Sequence, residues 1–160
     1  MISIDCATIS GVAIWADGTL ASTHVVRPIG KSGRWRITGH PEPYASERAA
    51  WLELIRGHDL VVIERAYGPS PKAVDSLAFR RGYVTALAHG VGAQVVEVNT
   101  SGWRRVAAEA FGVSWPRKSA EDKALARSLV AQEYGCDVGD DEADAVLVGL
   151  WCIRTRAGGR

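Results

Sequence analysis

The sequence is poor in the residues that build covalent cross-links and soft-metal sites. Its three cysteines, Cys6, Cys136 and Cys152, lie far apart and form no Cys-x-x-Cys pair. The four histidines are also scattered without the spacing of metal ligands. This pattern argues against a disulfide framework and against a zinc cage. Any chemistry of this chain must therefore rest on other side chains.

Long apolar runs are missing as well. No segment approaches the roughly 18 apolar residues that a membrane-spanning helix needs. The first ten residues, MISIDCATIS, carry Asp5 where a signal peptide would have a basic start and a long apolar stretch. We therefore predict a cytoplasmic protein that has no membrane partner.

Charge is nearly balanced over the chain but unevenly distributed along it. The 160 residues carry a net charge of +1, which alone does not suggest a nucleic-acid partner. Residues 135–144 contain five acids and no base, whereas the basic residues cluster elsewhere. An acidic centre with basic patches around it suits a metal site that approaches a phosphate backbone, although each patch alone is typical of a solvated surface. The basic clusters are Lys31/Arg34/Arg36, Arg80/Arg81, Arg104/Arg105 and Arg117/Lys118/Lys123.

The pattern of apolar residues predicts an α/β protein. Three strands come first, and Asp17-Gly18 between the second and third is a two-residue hairpin signal. Residues 30–46 are rich in glycine, proline and basic residues, so we expect mostly loop there. The runs at 59–64 (DLVVIE) and 93–98 (AQVVEV) are typical of strands buried on both faces. Helices are predicted at about 47–56, 72–89, 100–110, 119–134 and 140–155. With no repeat or linker, residues 1–160 are expected to form one domain.

Two acidic residues follow buried strands. Asp5 ends the first strand, and Glu64 directly follows Leu60–Ile63. An unpaired ionised group is costly in the middle of a sheet. If the two strands are parallel neighbours, both carboxylates lie at the carboxyl edge, where open α/β sheets place their sites. A divalent cation between them would relieve their repulsion.

Two further acids open the last helix. Asp141 and Asp144 are three residues apart and share a helical face. The following segment, AVLVGLWCI, is apolar all round, so this helix is expected to pack deeply and to aim both acids towards the sheet. Acids in a first helical turn also favour the helix dipole without any function, and Asp140 and Glu142 leave the choice of residue ambiguous by one position.

The chain resembles the RuvC-type Holliday-junction resolvases, in particular their phage-like branch, within the ribonuclease H-like superfamily. The motifs that carry the resemblance are ISIDCATISGVAIW, LVVIERAYG and DDEADAVLVGLW, in the order and spacing of that family. The start departs from the Asp-Pro-Gly of the bacterial enzymes, because Asp5 is followed by Cys6-Ala7. The resemblance implies a ribonuclease H-like mixed five-stranded sheet, three antiparallel strands and then two parallel ones, flanked by helices. It also implies a bacterial protein, encoded by the host or by a phage.

The resemblance implies a site as well. The family's four acidic metal ligands fall on Asp5, Glu64, Asp141 and Asp144, and its catalytic lysine falls on Lys118, with Lys123 as second choice. The family's aromatic residue that wedges into the junction falls on Tyr67. Apart from the resemblance, Trp35 is a second aromatic candidate for stacking on unpaired bases. The remaining residues expected to contact DNA are Arg80, Arg81, Arg104, Arg105, Arg117 and Lys123.

The implied activity is that of a crossover junction endodeoxyribonuclease. Two Mg²⁺ ions about 4 Å apart would serve phosphodiester hydrolysis, with Mn²⁺ as a substitute and no small-molecule cofactor. Because a four-way junction is two-fold symmetric, paired incisions call for a homodimer. The candidate interface is the helix at 72–90, whose apolar side chains are equally suited to packing on their own sheet: Leu77, Phe79, Tyr83, Val84 and Leu87.

Three other functions fit parts of the pattern. The first is another nuclease of the same fold, acting on RNA–DNA hybrids or flaps; hybrid-cleaving relatives usually place a glutamate on the first helix, where Glu47 and Glu53 lie. The second is a non-catalytic DNA-binding recombination accessory protein, against which the full acidic set argues. The third, a sugar-kinase-like phosphotransferase, needs a second domain that 160 residues leave no room for.

Overall fold

A computed structural model describes residues 1–65, 70–116 and 119–157. Eleven helices and strands lie in these ranges. The strands are β1 (Ile2–Asp5), β2 (Ser10–Ala16), β3 (Thr19–Pro28), β4 (Trp35–Ile37), β5 (Leu60–Arg65) and β6 (Gln94–Asn99). The helices are α1 (Glu47–Ile55), α2 (Pro71–Gly90), α3 (Thr100–Phe111), α4 (Ser119–Tyr134) and α5 (Asp140–Ala157).

The strands form one mixed sheet in the order β4-β3-β2-β1-β5-β6. Strands β1 to β4 pair antiparallel, while β5 lies parallel to both β1 and β6. The predicted arrangement of antiparallel strands followed by parallel ones is therefore confirmed. The hairpin between β2 and β3 turns at Asp17 (φ 50°) and Gly18 (φ 80°), the left-handed pair that such a tight turn requires.

The sheet has six strands and not the predicted five, because residues 35–37 form a short edge strand on β3. Trp35 and Ile37 are buried on one face, with Arg36 between them. Three residues are too few for a strand period to stand out among glycines and prolines. The suggestion that Trp35 stacks on bases is wrong: its side chain is 8% exposed and the Arg80 guanidinium covers its ring at 5.3 Å.

Helices cover both faces of the sheet. On one face, α1 and α2 pack on alternate residues of the strands, including Ile4, Val26 and Ile63. On the other face, α3, α4 and α5 pack on the residues between them, such as Ala13, Val62 and Val98. Since side chains alternate along a strand, Ser3, Asp5 and Glu64 belong to the face that carries α3, α4 and α5.

Helix α5 lies unusually close to β1 and β2. A Cβ atom on Gly11 would overlap the Asp141 carbonyl oxygen, and one on Gly149 would overlap the Trp15 indole nitrogen. The buried Ser3 hydroxyl accepts a hydrogen bond from the Trp15 indole (2.8 Å) and donates one to the Ala145 carbonyl (2.7 Å). These contacts fix where the acidic start of α5 lies relative to the sheet.

No helix in the described part of the chain has the length and apolar character needed to cross a bilayer.

Candidate active site

Two of the predicted carboxylates meet at the carboxyl edge of the sheet. The parallel pairing of β1 and β5 runs through Ile2, Ser3 and Ile4 opposite Val61, Val62 and Ile63. Asp5 and Glu64 are the next residues in this register, and both line a cleft of about 750 Å³. The short apolar strands therefore deliver two acids side by side, as the sequence predicts.

Helix α5 adds the other two carboxylates. Asp144 lines the same cleft as Asp5 and Glu64. Asp141 lies one turn earlier, beside Ala7 to Ile9 of the loop between β1 and β2. Its negative charge still acts on Asp5 and helps to raise the pKa of that residue. Asp144 is thus a wall of the cleft, whereas Asp141 lies at its margin.

The carboxylates are held where their charges are unfavourable. Burial raises the pKa of Asp5 well above its ordinary value, and the neighbouring Glu64 raises it further by its charge and by a shared hydrogen bond. Burial, followed by the charge of Glu64, raises the pKa of Asp144 to about 7. Burial also raises the pKa of Asp141, against the pull of Lys123. Such a site favours protons or a cation.

Helix α3 fixes the orientation of Glu64. Its Oε1 atom accepts hydrogen bonds from the Thr100 hydroxyl (2.7 Å) and from the indole of the fully buried Trp103 (2.8 Å). Neither contact was predicted from the sequence. Its only hint is that a buried tryptophan N–H needs an acceptor, and nothing in the pattern says which acceptor it finds.

A basic group forms the opposite wall of the cleft. The Arg104 guanidinium lies against the rings of Trp103 (5.2 Å) and Trp115 (5.7 Å). It pairs with Asp122 at 2.5 Å, and the Trp115 indole donates to the other oxygen of Asp122, also at 2.5 Å. Arg105 lines the same cleft. Asp122 was not among the predicted site residues, although it holds Arg104 in place.

The remaining acids at the start of α5 have other partners. Asp140 pairs with Lys123 and Arg127, each at 3.4 Å. Glu142 accepts hydrogen bonds from the Thr23 hydroxyl (2.9 Å) and from the Gly139 amide (3.1 Å). Neither of these two acids lines the cleft. Of the acids at the start of α5, the geometry therefore favours Asp141 and Asp144 as candidate ligands over Asp140 and Glu142.

The predicted DNA-binding residues are only partly brought together. Arg104 and Arg105 line the cleft. Arg80 and Arg81 instead pair with Glu47 (2.5 Å) and Glu97 (3.1 Å) and do not line it. Burial lowers the pKa of Lys123, but Asp140, Asp141 and Asp144 raise it overall. Three predicted residues lie outside the described ranges: Tyr67, Arg117 and Lys118.

Glu47, the first-helix glutamate that hybrid-cleaving nucleases would need, is engaged on the other face of the sheet. Its Oε1 atom accepts from Arg80 at 2.5 Å and from the Trp51 indole at 3.4 Å. Trp51 lies on α1 and Arg80 on α2, the two helices on the face of the sheet opposite to Asp5 and Glu64. This placement argues against the hybrid-cleaving alternative.

The donor set at the cleft fits a hard divalent cation. All four candidate ligands offer carboxylate oxygens, the donors that Mg²⁺ and Mn²⁺ prefer. Among the ion pairs between described residues, none involves these four acids, so their charges lack a paired base there. Among the described residues, however, no three of these side chains are placed so that they could hold one metal ion together. The donors are of the right chemical type, and their side chains would have to move closer together to bind an ion.

Comparisons with known proteins give matches at the level of structure only. No family model and no curated protein sequence matches the chain. Among solved structures, Thermus thermophilus RuvC in complex with a Holliday junction substrate has a TM-score of 0.66 at 17% identity, covering 99% of this chain and 96% of that one. A second structure of Thermus thermophilus RuvC has a TM-score of 0.58 at 18% identity, with coverages of 99% and 97%.

A viral protein gives a similar result. The Fowlpox virus resolvase, in complex with Holliday junction DNA, has a TM-score of 0.53 at 15% identity, covering 96% of this chain and 98% of that one. Because these likenesses span nearly the whole of each chain, they concern the complete sheet and its helices and not one motif. The chain has the ribonuclease H-like fold that RuvC and the poxvirus resolvase share.

Proposed function

We propose that this chain is a metal-dependent endodeoxyribonuclease that resolves four-way or other branched DNA junctions by paired phosphodiester hydrolysis. One observation carries the proposal: Asp5, Glu64 and Asp144 line one cleft in a fold shared with two proteins solved with Holliday junctions. We treat residues 1–160 as a single nuclease domain.

The four carboxylates of Asp5, Glu64, Asp141 and Asp144 would hold Mg²⁺, and Mn²⁺ would substitute for it. Two bound ions would supply Lewis-acid stabilisation of the phosphate oxygens and would lower the pKa of the attacking water. The hydrogen bonds from α3 to Glu64 keep one ligand in a fixed orientation, as partners of ligating carboxylates commonly do.

The basic wall of the cleft would bind the DNA backbone. Arg104, held by Asp122 and two indole rings, presents its guanidinium across the cleft from the acids. A planar guanidinium suits a phosphate because it donates two parallel hydrogen bonds. Arg105, whose side chain is 71% exposed and lies 3.6 Å from Glu109, would add a second positive charge. By the family resemblance, Lys118 would stabilise charge on the phosphate and Tyr67 would stack at the branch point.

A homodimer would place two such clefts on the two-fold symmetric junction. Helix α2 offers separate faces for the core and for a partner. Val84 is buried in its own core, and Tyr83 and Leu87 pack against that core. Phe79, by contrast, is 77% exposed and Val74 is 40% exposed. The outward face with Phe79 is the proposed dimer contact, with Leu77 at its margin.

The decisive experiment compares labelled four-way junction, Y-fork, linear duplex and RNA–DNA hybrid, with Mg²⁺ and with EDTA. We expect symmetric nicks in the junction that EDTA abolishes. Asp5→Asn should lose cleavage but keep junction binding, while Asp137→Asn, an exposed acid in the loop before α5, should cleave like the wild type. Cleavage of the hybrid alone would move the function to a ribonuclease, and binding without cleavage in Mg²⁺ or Mn²⁺ would leave a DNA-binding protein.

A further inference from the structure

A second basic site lies at the outer part of the sheet. Arg27 of β3 and Arg36 of β4 are directly opposite each other in the antiparallel register. Their neighbours Val26, Trp35 and Ile37 are buried on the face of α1 and α2. Arg27 and Arg36 therefore both point to the other face, the one on which Asp5 and Glu64 lie.

This pair is unfavourable for the folded protein on its own. Cross-strand neighbours have Cβ atoms about 5 Å apart, and like charges at that position repel each other. In the described ranges no ion pair contains Arg27 or Arg36. Both instead line a surface depression of about 460 Å³ together with Thr8, Ile9 and the start of the loop after β3. Two guanidinium groups that have no ion pair in these ranges and lie beside a depression are suited to bind an anion.

The position of the pair connects it with the carboxylates. Strand β3 ends, and β4 begins, at the same edge of the sheet as the end of β1, because neighbouring antiparallel strands alternate in direction. Thr8 and Ile9 line this depression and also the one that contains Asp141. A continuous surface thus runs from Asp141 over the loop between β1 and β2 to the two arginines.

We propose that Arg27 and Arg36 bind backbone phosphates of a DNA arm that leaves the cleft over Thr8 and Ile9. The inference rests on the proposed nuclease function and adds to it a contact on the opposite side of the carboxylates from Arg104. With strands about 4.8 Å apart, β3 and β4 lie about 10 and 15 Å from β1. At a rise of about 3.4 Å per base pair, the contacted phosphates lie about three to four base pairs from the cleaved bond.

The test measures junction binding in EDTA over a range of salt concentrations. The Arg27→Ala/Arg36→Ala variant should lose two phosphate contacts. The plot of log K against log salt should therefore become less steep by about 1.8, and the affinity at 0.1 M salt should fall about tenfold or more. The matched control is Arg154→Ala/Arg156→Ala. It removes the same charge from two exposed arginines at the far end of α5 and should bind like the wild type. The thermal midpoint of the first variant should be unchanged or higher, since it loses a repulsive pair.

A second measurement locates the contact on the DNA. Single methylphosphonates, which are uncharged, replace phosphates one by one along the arm. The wild type should lose affinity at positions about three to four base pairs from the cleaved bond, and the Arg27→Ala/Arg36→Ala variant should not respond there. Equal losses in the control variant, or a loss confined to single-stranded DNA, would refute the site. Wild-type affinity in the double variant would refute it while leaving the nuclease intact, whereas failure of the wild type to bind any DNA would remove both.

Discussion

Replacing Asp144 by Asn should stabilise the metal-free protein in a pH-dependent way. The pKa of Asp144 is raised from 3.8 to about 7 in the folded protein, by burial first and by Glu64 second. A carboxyl group with a raised folded-state pKa contributes stability below pH 3.8 and loses it as the pH rises to about 7. At 1.36 kcal/mol per pH unit, this loss amounts to at most about 4 kcal/mol. Asparagine keeps the size of the side chain and carries no charge.

The assay is urea unfolding in EDTA at pH 4 and at pH 8. At pH 4 the variant and the wild type should have similar free energies of unfolding. At pH 8 the variant should be more stable, by up to about 4 kcal/mol. Asp137→Asn, which changes an exposed acid, should show no such dependence. A variant that is equally destabilised at both pH values would show that the Asp144 carboxylate is satisfied by protein groups, and the argument for a cation site would fail.

Adding Mg²⁺ should reduce the stability advantage of the variant over the wild type at pH 8. A ligand that binds only the folded state stabilises it by about 2.7 kcal/mol at a concentration of 100 Kd. The wild type should gain this stability at pH 8, whereas Asp144→Asn, which lacks a charged ligand, should gain much less. Equal gains in both proteins would mean that the ion binds elsewhere.

Two further substitutions probe the supports of the cleft. Gly11→Ala would place a methyl group against the Asp141 carbonyl oxygen. It should cost about 1–3 kcal/mol of stability, measured by thermal denaturation, and reduce cleavage more than junction binding. The control Gly82→Ala, which has open space around it, should be neutral or stabilising in the same assay. Asp122→Asn should release Arg104 and lower the cleavage rate about tenfold to a hundredfold, because a hydrogen bond to a charged group is worth about 1.5–3 kcal/mol. The circular dichroism spectrum should be unchanged. A wild-type cleavage rate would show that Arg104 does not need Asp122 to hold it in place.

The sheet and its acidic edge were predictable because their signals are local. The continuous apolar run 60–63, which ends in Glu64, has the length of a buried strand and is too short for a typical helix. The apolar length of α5 implies deep packing, and deep packing brings Asp144 to the sheet. In each case the sequence pattern and the burial that it predicts concern the same few residues.

The supports of the site were not predictable, because they depend on partners far apart in the chain. Thr100 and Trp103 reach Glu64 across 36 and 39 positions, and only the assembled fold brings them together. Strand β4 is three residues long and exists because β3 offers it an edge. The wrong expectation for Trp35 has the same origin, since a loop-like sequence hid a side chain that packs under Arg80.

The order of these elements explains why the acids can lie close together with no ion-paired base among the described residues. Glycine at position 11 lets the start of α5 approach β2, while Ser3 and Trp15 anchor the helix further along. Within the described residues, tight packing holds Asp144 beside Asp5 and Glu64. Packing of this kind costs stability at neutral pH, and a bound divalent cation would return it. A cation that neutralises these acids would stabilise the folded protein. The stability of this edge of the sheet would therefore depend on the metal that the proposed reaction requires.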